Sequence, residues 1–204
     1  MPVDIPGVER RGRFAADGLR LPSGFPELDA MLGGGWPTGG LTELLIEAGA
    51  SAELGLLSPV LSHLTRGHAA ADPAWVMLIA PPWIPYAPGL CWQGLALSRV
   101  LVTEARQPAD VWWAMEAALG SGACAAVIAW AGAASRVALQ RLHLLAGKRP
   151  VWSVLVRAAR FRDERSPAML RLQLHVQAGA QGAVRAEIFK NRLRAPGTVT
   201  VVLS

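Results

Sequence analysis

A chain of 204 residues with 52% hydrophobic and 17% charged side chains can bury a sizeable core in one domain, which excludes a disordered or fibrous protein. The longest apolar run, residues 123–134, spans about 12 residues against the ~20 that a membrane-crossing helix needs. The amino-terminal "MPVDIPGVERRGRF" carries no apolar secretory segment, so a cytoplasmic protein is expected. Net charge is +5, from 18 Arg and only two Lys against 15 acidic residues; this suits nucleic acid or an acidic protein and does not choose between them.

Residues 1–20 are polar and basic and read as an arm or short helix, with residues 21–204 as one domain. Ser23 is placed to cap a helix opening at Phe25–Pro26, with Leu28, Met31 and Leu32 on its apolar face, and the run Gly33–Gly35 should stop it. "LTELLI" (41–46) reads as a strand and "AELGLLSPVLSHLTRGHAA" (52–70) as a helix with a proline in its first turns. "AWVMLIA" (74–80) has the continuous apolar character of a strand covered on both faces. A helix and the strand "RVLVTEA" (99–105) follow, then a helix over 108–122, the strand "CAAVIAW" (124–130), a helix over 135–148 and the strand "PVWSVLVR" (150–157). The last third reads as three strands, "AMLRLQLHVQ", "AVRAEIFKN" and "TVTVVL". Early alternation of strands and helices predicts an α/β fold with a mostly parallel sheet, helices on its faces and antiparallel strands at the end. Cys91 and Cys124 read as buried thiols, and Trp92, Trp112, Trp113 and Trp130 as core. His63, His68, His143 and His175 share no spacing that suits a metal, so no metal site is expected.

Two segments carry a resemblance. "LPSGFPELDAMLGGGWPTGGLTEL" (21–44) resembles the stretch that precedes the phosphate-loop strand in the RecA superfamily, and "AEIFKNRLRAPG" (186–197) resembles a late segment of bacterial RecA. The order of elements between them fits a RecA-like P-loop core over roughly 21–203. A phosphate loop needs Gly for close backbone approach, Lys for the β- and γ-phosphates and Ser or Thr for Mg²⁺. In the matching stretch, "GASAELGLL", these places fall to Ala52, Glu53, Leu54 and Gly55. The resemblance puts Pro81 where a catalytic Glu would end the next strand, Trp130 where a Mg²⁺-holding Asp would end the third, and Arg157 near a γ-phosphate-sensing Gln. A carboxylate at the lysine position repels a triphosphate. The resemblance thus implies degenerate Walker motifs, no nucleotide cofactor and no catalysis.

Trp36 and Trp83, in Pro/Gly-rich loops beside this place, are expected to fill the vacated phosphate cavity or to form an interface hot spot. The first DNA-binding loop of RecA is nearly deleted here, and the second is shortened to "RAARFRDERSPAM". Arg157, Arg160, Arg162 and Arg165 in it could serve DNA phosphates, an acidic protein surface, or simply a solvated loop. Lys190 and Arg192 match basic positions that reach across a subunit boundary in RecA, and Arg10, Arg11 and Arg13 make the arm a candidate for self-association or partner binding.

"VIAWAG…RLHLLAGKRPVWSVLVR" is similar to a segment shared by two bacterial SOS families of small degenerate RecA-like proteins. One is the ImuA family, accessory to translesion synthesis; the other is the SulA family of division inhibitors, which bind FtsZ. The long opening segment and "KNRLRAPG" fit the ImuA pattern better. That resemblance implies ImuB as partner, with RecA or the error-prone polymerase as further partners, at most a weak direct DNA contact, and no membrane. A RecA-like ATPase with a rearranged site is the alternative from another class.

Overall fold

The computed structural model describes residues 20–47, 52–67, 72–105, 107–177 and 182–203. The arm residues Arg10, Arg11 and Arg13 lie outside them, as does His68. β1 (Arg20–Leu21) and β2 (Trp36–Pro37) form a two-residue antiparallel ladder around α1 (Pro26–Leu32). Pro26 opens α1, and Gly33, at φ 83°, closes it in a left-handed conformation that a β-carbon would disfavour. Ser23 does not cap this helix. Its hydroxyl stays with Phe25, and its backbone N–H donates to Asp29 in the first turn.

The main sheet has eight strands, ordered β10-β9-β8-β3-β7-β6-β4-β5. They are β3 (Gly40–Ile46), β4 (Trp75–Ile79), β5 (Val100–Thr103), β6 (Cys124–Trp130), β7 (Trp152–Ala158), β8 (Leu170–Val176), β9 (Ala183–Asn191) and β10 (Gly197–Val202). The six from β8 to β5 run parallel; β9 and β10 are added antiparallel. The predicted α/β class and the antiparallel ending are both present.

Helices cover both faces. α1, α2 (Glu53–Arg66) and the short α3 (Ala87–Trp92) bury one apolar cluster, centred on Leu44, Leu57, Leu61, Ile128 and Val154. α4 (Pro108–Ser121) and α5 (Arg136–Gly147) bury a second, centred on Leu41, Met115, Val127, Leu142 and Leu155. This two-sided cover explains why β3, β6 and β7 are mostly apolar and buried almost throughout instead of alternating. No described helix is long and apolar enough to cross a membrane.

Some predicted core positions are on the surface. Trp92 is 84% and Trp113 73% exposed, because each faces away from the sheet on its helix. Cys91 is exposed as well, whereas Cys124 is buried and its thiol is pushed up to about 11 by that burial. Trp36 is fully buried beside Trp152, ring centroids 5.6 Å apart, so it belongs to the core and not to a loop.

α5 is tied to the sheet by His143, whose Nδ1 accepts from the Leu41 backbone N–H at 3.2 Å, which places the ring proton on Nε2. Burial, then Arg192 and Lys190, holds this imidazole below its ordinary 6.5. Because the unfolded chain takes up the proton more readily, stability should be constant above about pH 6.5 and fall as pH drops below it. Melting temperature measured from pH 8 to 5 checks this: His143→Gln should flatten the slope.

Candidate functional site

In open α/β sheets, ligands sit outside the carboxyl ends of the strands. Here that crevice brings together six of the seven residues to which the resemblance assigns nucleotide positions, Gly55 among them and Arg157 excepted. Ala52, Glu53 and Leu54 come from the start of α2, Pro81 from the loop after β4 and Trp130 from the end of β6; all line one cavity of about 410 Å³.

The centre of the crevice is a hydrogen bond. Trp130 donates its indole Nε1–H to Glu53 Oε1 at 3.1 Å, with Glu53 3% and Trp130 8% exposed. Glu53 lies in the first helical turn, where unsatisfied backbone N–H groups and the helix dipole favour negative charge. A helix end of this kind attracts phosphate. Here the chain supplies its own anion, and a donor from the neighbouring strand fixes it. Leu203 packs so close to Gly55 that a β-carbon there would come within 2.9 Å of its side chain, so the segment just after β10 closes the crevice from another side.

The chain leaves β4 through Ala80, whose φ of 52° is the one left-handed non-glycine among the described residues. That conformation costs about 1–2 kcal/mol for an L-residue. It is held by the Ala80 N–H bond to Thr103 O, 2.7 Å. The turn directs Pro81–Pro85 outward, leaving Trp83, Ile84 and Tyr86 at 73%, 90% and 68% exposure on the cavity rim. Trp83 therefore lies at the mouth and does not fill the cavity.

Arg157 has a different place. It lies on the opposite face of the sheet, 1% exposed, in an ion cluster that the sequence reading missed. Glu43, fully buried on β3, accepts from Arg171 Nε at 2.7 Å and from Ser166 Oγ at 2.8 Å, and lies 3.7 Å from Arg157 Nη1. Arg157 also donates to Glu164 at 2.8 Å and lies over the Phe161 ring. Arg171 donates to the carbonyls of Phe161, Arg162 and Glu164. The arginine loop is thus folded onto a buried carboxylate.

This corrects the expectation that all four loop arginines could face a partner. Arg157 cannot, and Arg162 is held bidentate by Glu187 and bonded to Gln173. The Arg162 bond, helped by His175, keeps the Glu187 carboxyl at about 2. Lys190 donates to Ser166 O at 2.6 Å and Arg192 to Pro167 O at 2.9 Å, so both brace the same loop. Arg160 and Arg165 remain exposed. With two exposed loop cations instead of four, binding to single-stranded DNA through this loop should show a log–log salt slope no steeper than about −1.4. Fluorescence anisotropy across a salt series measures it, and a slope near −3 would mean that the ion cluster opens to meet DNA.

Among the described residues, no group of three or more His, Cys, Asp or Glu side chains is placed to hold a metal ion. No protein-family model matches the chain, and no curated protein matches it.

Proposed function

We propose that this chain is a RecA-like domain that has given up nucleotide chemistry and works by binding proteins, as an accessory factor in SOS-induced translesion synthesis. The observation that carries the first half is the Glu53–Trp130 hydrogen bond, which occupies the helix end where a phosphate would sit. A triphosphate entering there would meet a buried carboxylate and a strand-end indole instead of an ammonium and a metal-holding carboxylate. The second half rests on residues 127–157, similar to a segment shared by the ImuA and SulA families, and on the opening segment 21–44 and "KNRLRAPG", which fit the ImuA pattern better. It is in keeping with the exposed aromatic rim, since solvent-facing Trp and Tyr are typical anchors of protein interfaces.

Two measurements test the reading. Isothermal titration with Mg-ATP should give no saturable heat; a dissociation constant below about 100 µM, near −5.5 kcal/mol, would return the chain to the ATPases. Pull-down from DNA-damaged cells should recover ImuB or the error-prone polymerase. Recovery of FtsZ in their place would assign the chain to division inhibition.

A further inference from the structure

We infer that the crevice at the carboxyl ends of the strands has become a receptor for a cation, and that its occupant is an arginine side chain presented by a protein partner. The inference takes from the proposed function only that nucleotide does not occupy the crevice. Glu53 supplies the first observation. Oε1 accepts the Trp130 indole, but Oε2 has neither a hydrogen-bond partner nor contact with solvent. An ionised carboxylate can accept about four hydrogen bonds, and a buried charge with this much capacity unused is strongly unfavourable unless a cation meets it.

The second observation is the cavity itself. Glu53 is the single charged residue among its described lining, and the rest of the wall is proline, aliphatic and aromatic apart from Gln93. The ring of Trp130 lies inside, and Trp83 and Tyr86 stand at the mouth, largely exposed. A buried carboxylate just beneath the wall of an apolar, aromatic-rimmed cavity suits an organic cation that can lose its water, and the wall side chains must part to let it reach Oε2.

Arginine fits better than lysine. Its guanidinium is planar, stacks on aromatic faces, is weakly hydrated and presents paired N–H groups to a carboxylate. A strongly hydrated ammonium would lose more on entry. The exposed Trp83, Ile84 and Tyr86 favour a protein as the carrier over a free metabolite, because a small molecule seated in the cavity would leave this apolar rim uncovered.

The test follows the Trp130 indole ¹H–¹⁵N resonance while N-acetyl-arginine-amide is added to the full chain. A saturable shift with a dissociation constant of about 1 mM is expected for so small a probe. N-acetyl-citrulline-amide, which has the same shape without the charge, should give no saturable shift. Glu53→Gln, which keeps the acceptor for Trp130, should abolish the arginine response. A Leu-Arg-Leu peptide should bind at least tenfold tighter than the blocked amino acid, and Trp83→Ala should remove about two- to fivefold of that gain. Trp83 is exposed, so this variant carries the test even if Glu53→Gln fails to fold. Equal binding of citrulline, or no saturation by arginine up to about 50 mM, overturns the inference. A peptide that binds no tighter than the blocked amino acid overturns the assignment to a protein partner. Failure here leaves the Mg-ATP result standing, and a chain that binds Mg-ATP fails that earlier reading on its own titration.

Discussion

Glu43→Ala is expected to lower the stability of this protein by about 3–5 kcal/mol, more than any other single side-chain truncation near the site. The reason is asymmetry. A buried ion pair adds little over a well-packed apolar replacement, but removing one partner leaves the other charge buried and uncompensated. Here one carboxylate serves two guanidiniums, Arg171 at 2.7 Å and Arg157 at 3.7 Å, and all three side chains are almost wholly out of water. Arg157 keeps Glu164 through Nη2, but its Nη1 already has no hydrogen-bond partner and only the Glu43 charge beside it, and Arg171 would lose the carboxylate it pairs with. For a domain of this length the loss corresponds to a fall in melting temperature of about 6–20 °C. Urea unfolding measures the free energy directly. Hydrogen exchange should show residues 159–165 opening as well, because the Arg171 bonds to three of their carbonyls lose their anchor. A loss below about 1 kcal/mol would mean that the guanidiniums regain water when the carboxylate goes, and that the loop, not the core, surrounds them.

The same cluster shows what the sequence could and could not disclose. Both Glu43 in "LTELLI" and Arg171 in "MLRLQL" are lone charges inside strand-like apolar runs. Each could have been flagged, since a charge in a strand covered on both faces needs a partner. What no local pattern reveals is that β8 lies directly beside β3, 128 positions apart for this pair, so that the two lone charges meet. Arg157 was misjudged for the opposite reason. It sits in an arginine-rich stretch that looks solvated, but it still belongs to β7, a strand buried on both faces, and Phe161 and Glu164 of the following loop fold over it, while Arg160, just past the strand, stays outside. The crevice was easier. Glu53 begins the helix after β3, Pro81 follows β4 by two residues and Trp130 ends β6, and a parallel sheet necessarily collects such positions on one edge. That Glu53 and Trp130 would bond each other was not legible, because it depends on side-chain direction at two element ends 77 positions apart.

Glu53→Lys should therefore confer no nucleotide binding and should cost stability. The substitution returns the residue type that a phosphate loop needs, so on charge alone a gain of triphosphate affinity would be expected. In this crevice the new ammonium would face the Trp130 indole, donor against donor, at a helix end whose dipole also favours negative charge. The indole N–H would lose its acceptor in a buried place, which costs about 1–3 kcal/mol by itself. Nothing beside it would hold Mg²⁺, because Pro81 and Trp130 bring no carboxylate to the cavity. Thermal unfolding should register the loss, and Mg-ATP titration of the same variant should remain flat. Glu53→Gln separates the two contributions: it keeps an oxygen for Trp130 and removes the charge, so it should melt well above Glu53→Lys. If Glu53→Lys instead binds Mg-ATP below about 100 µM, the crevice has kept its phosphate geometry, and only the carboxylate had been keeping nucleotide out.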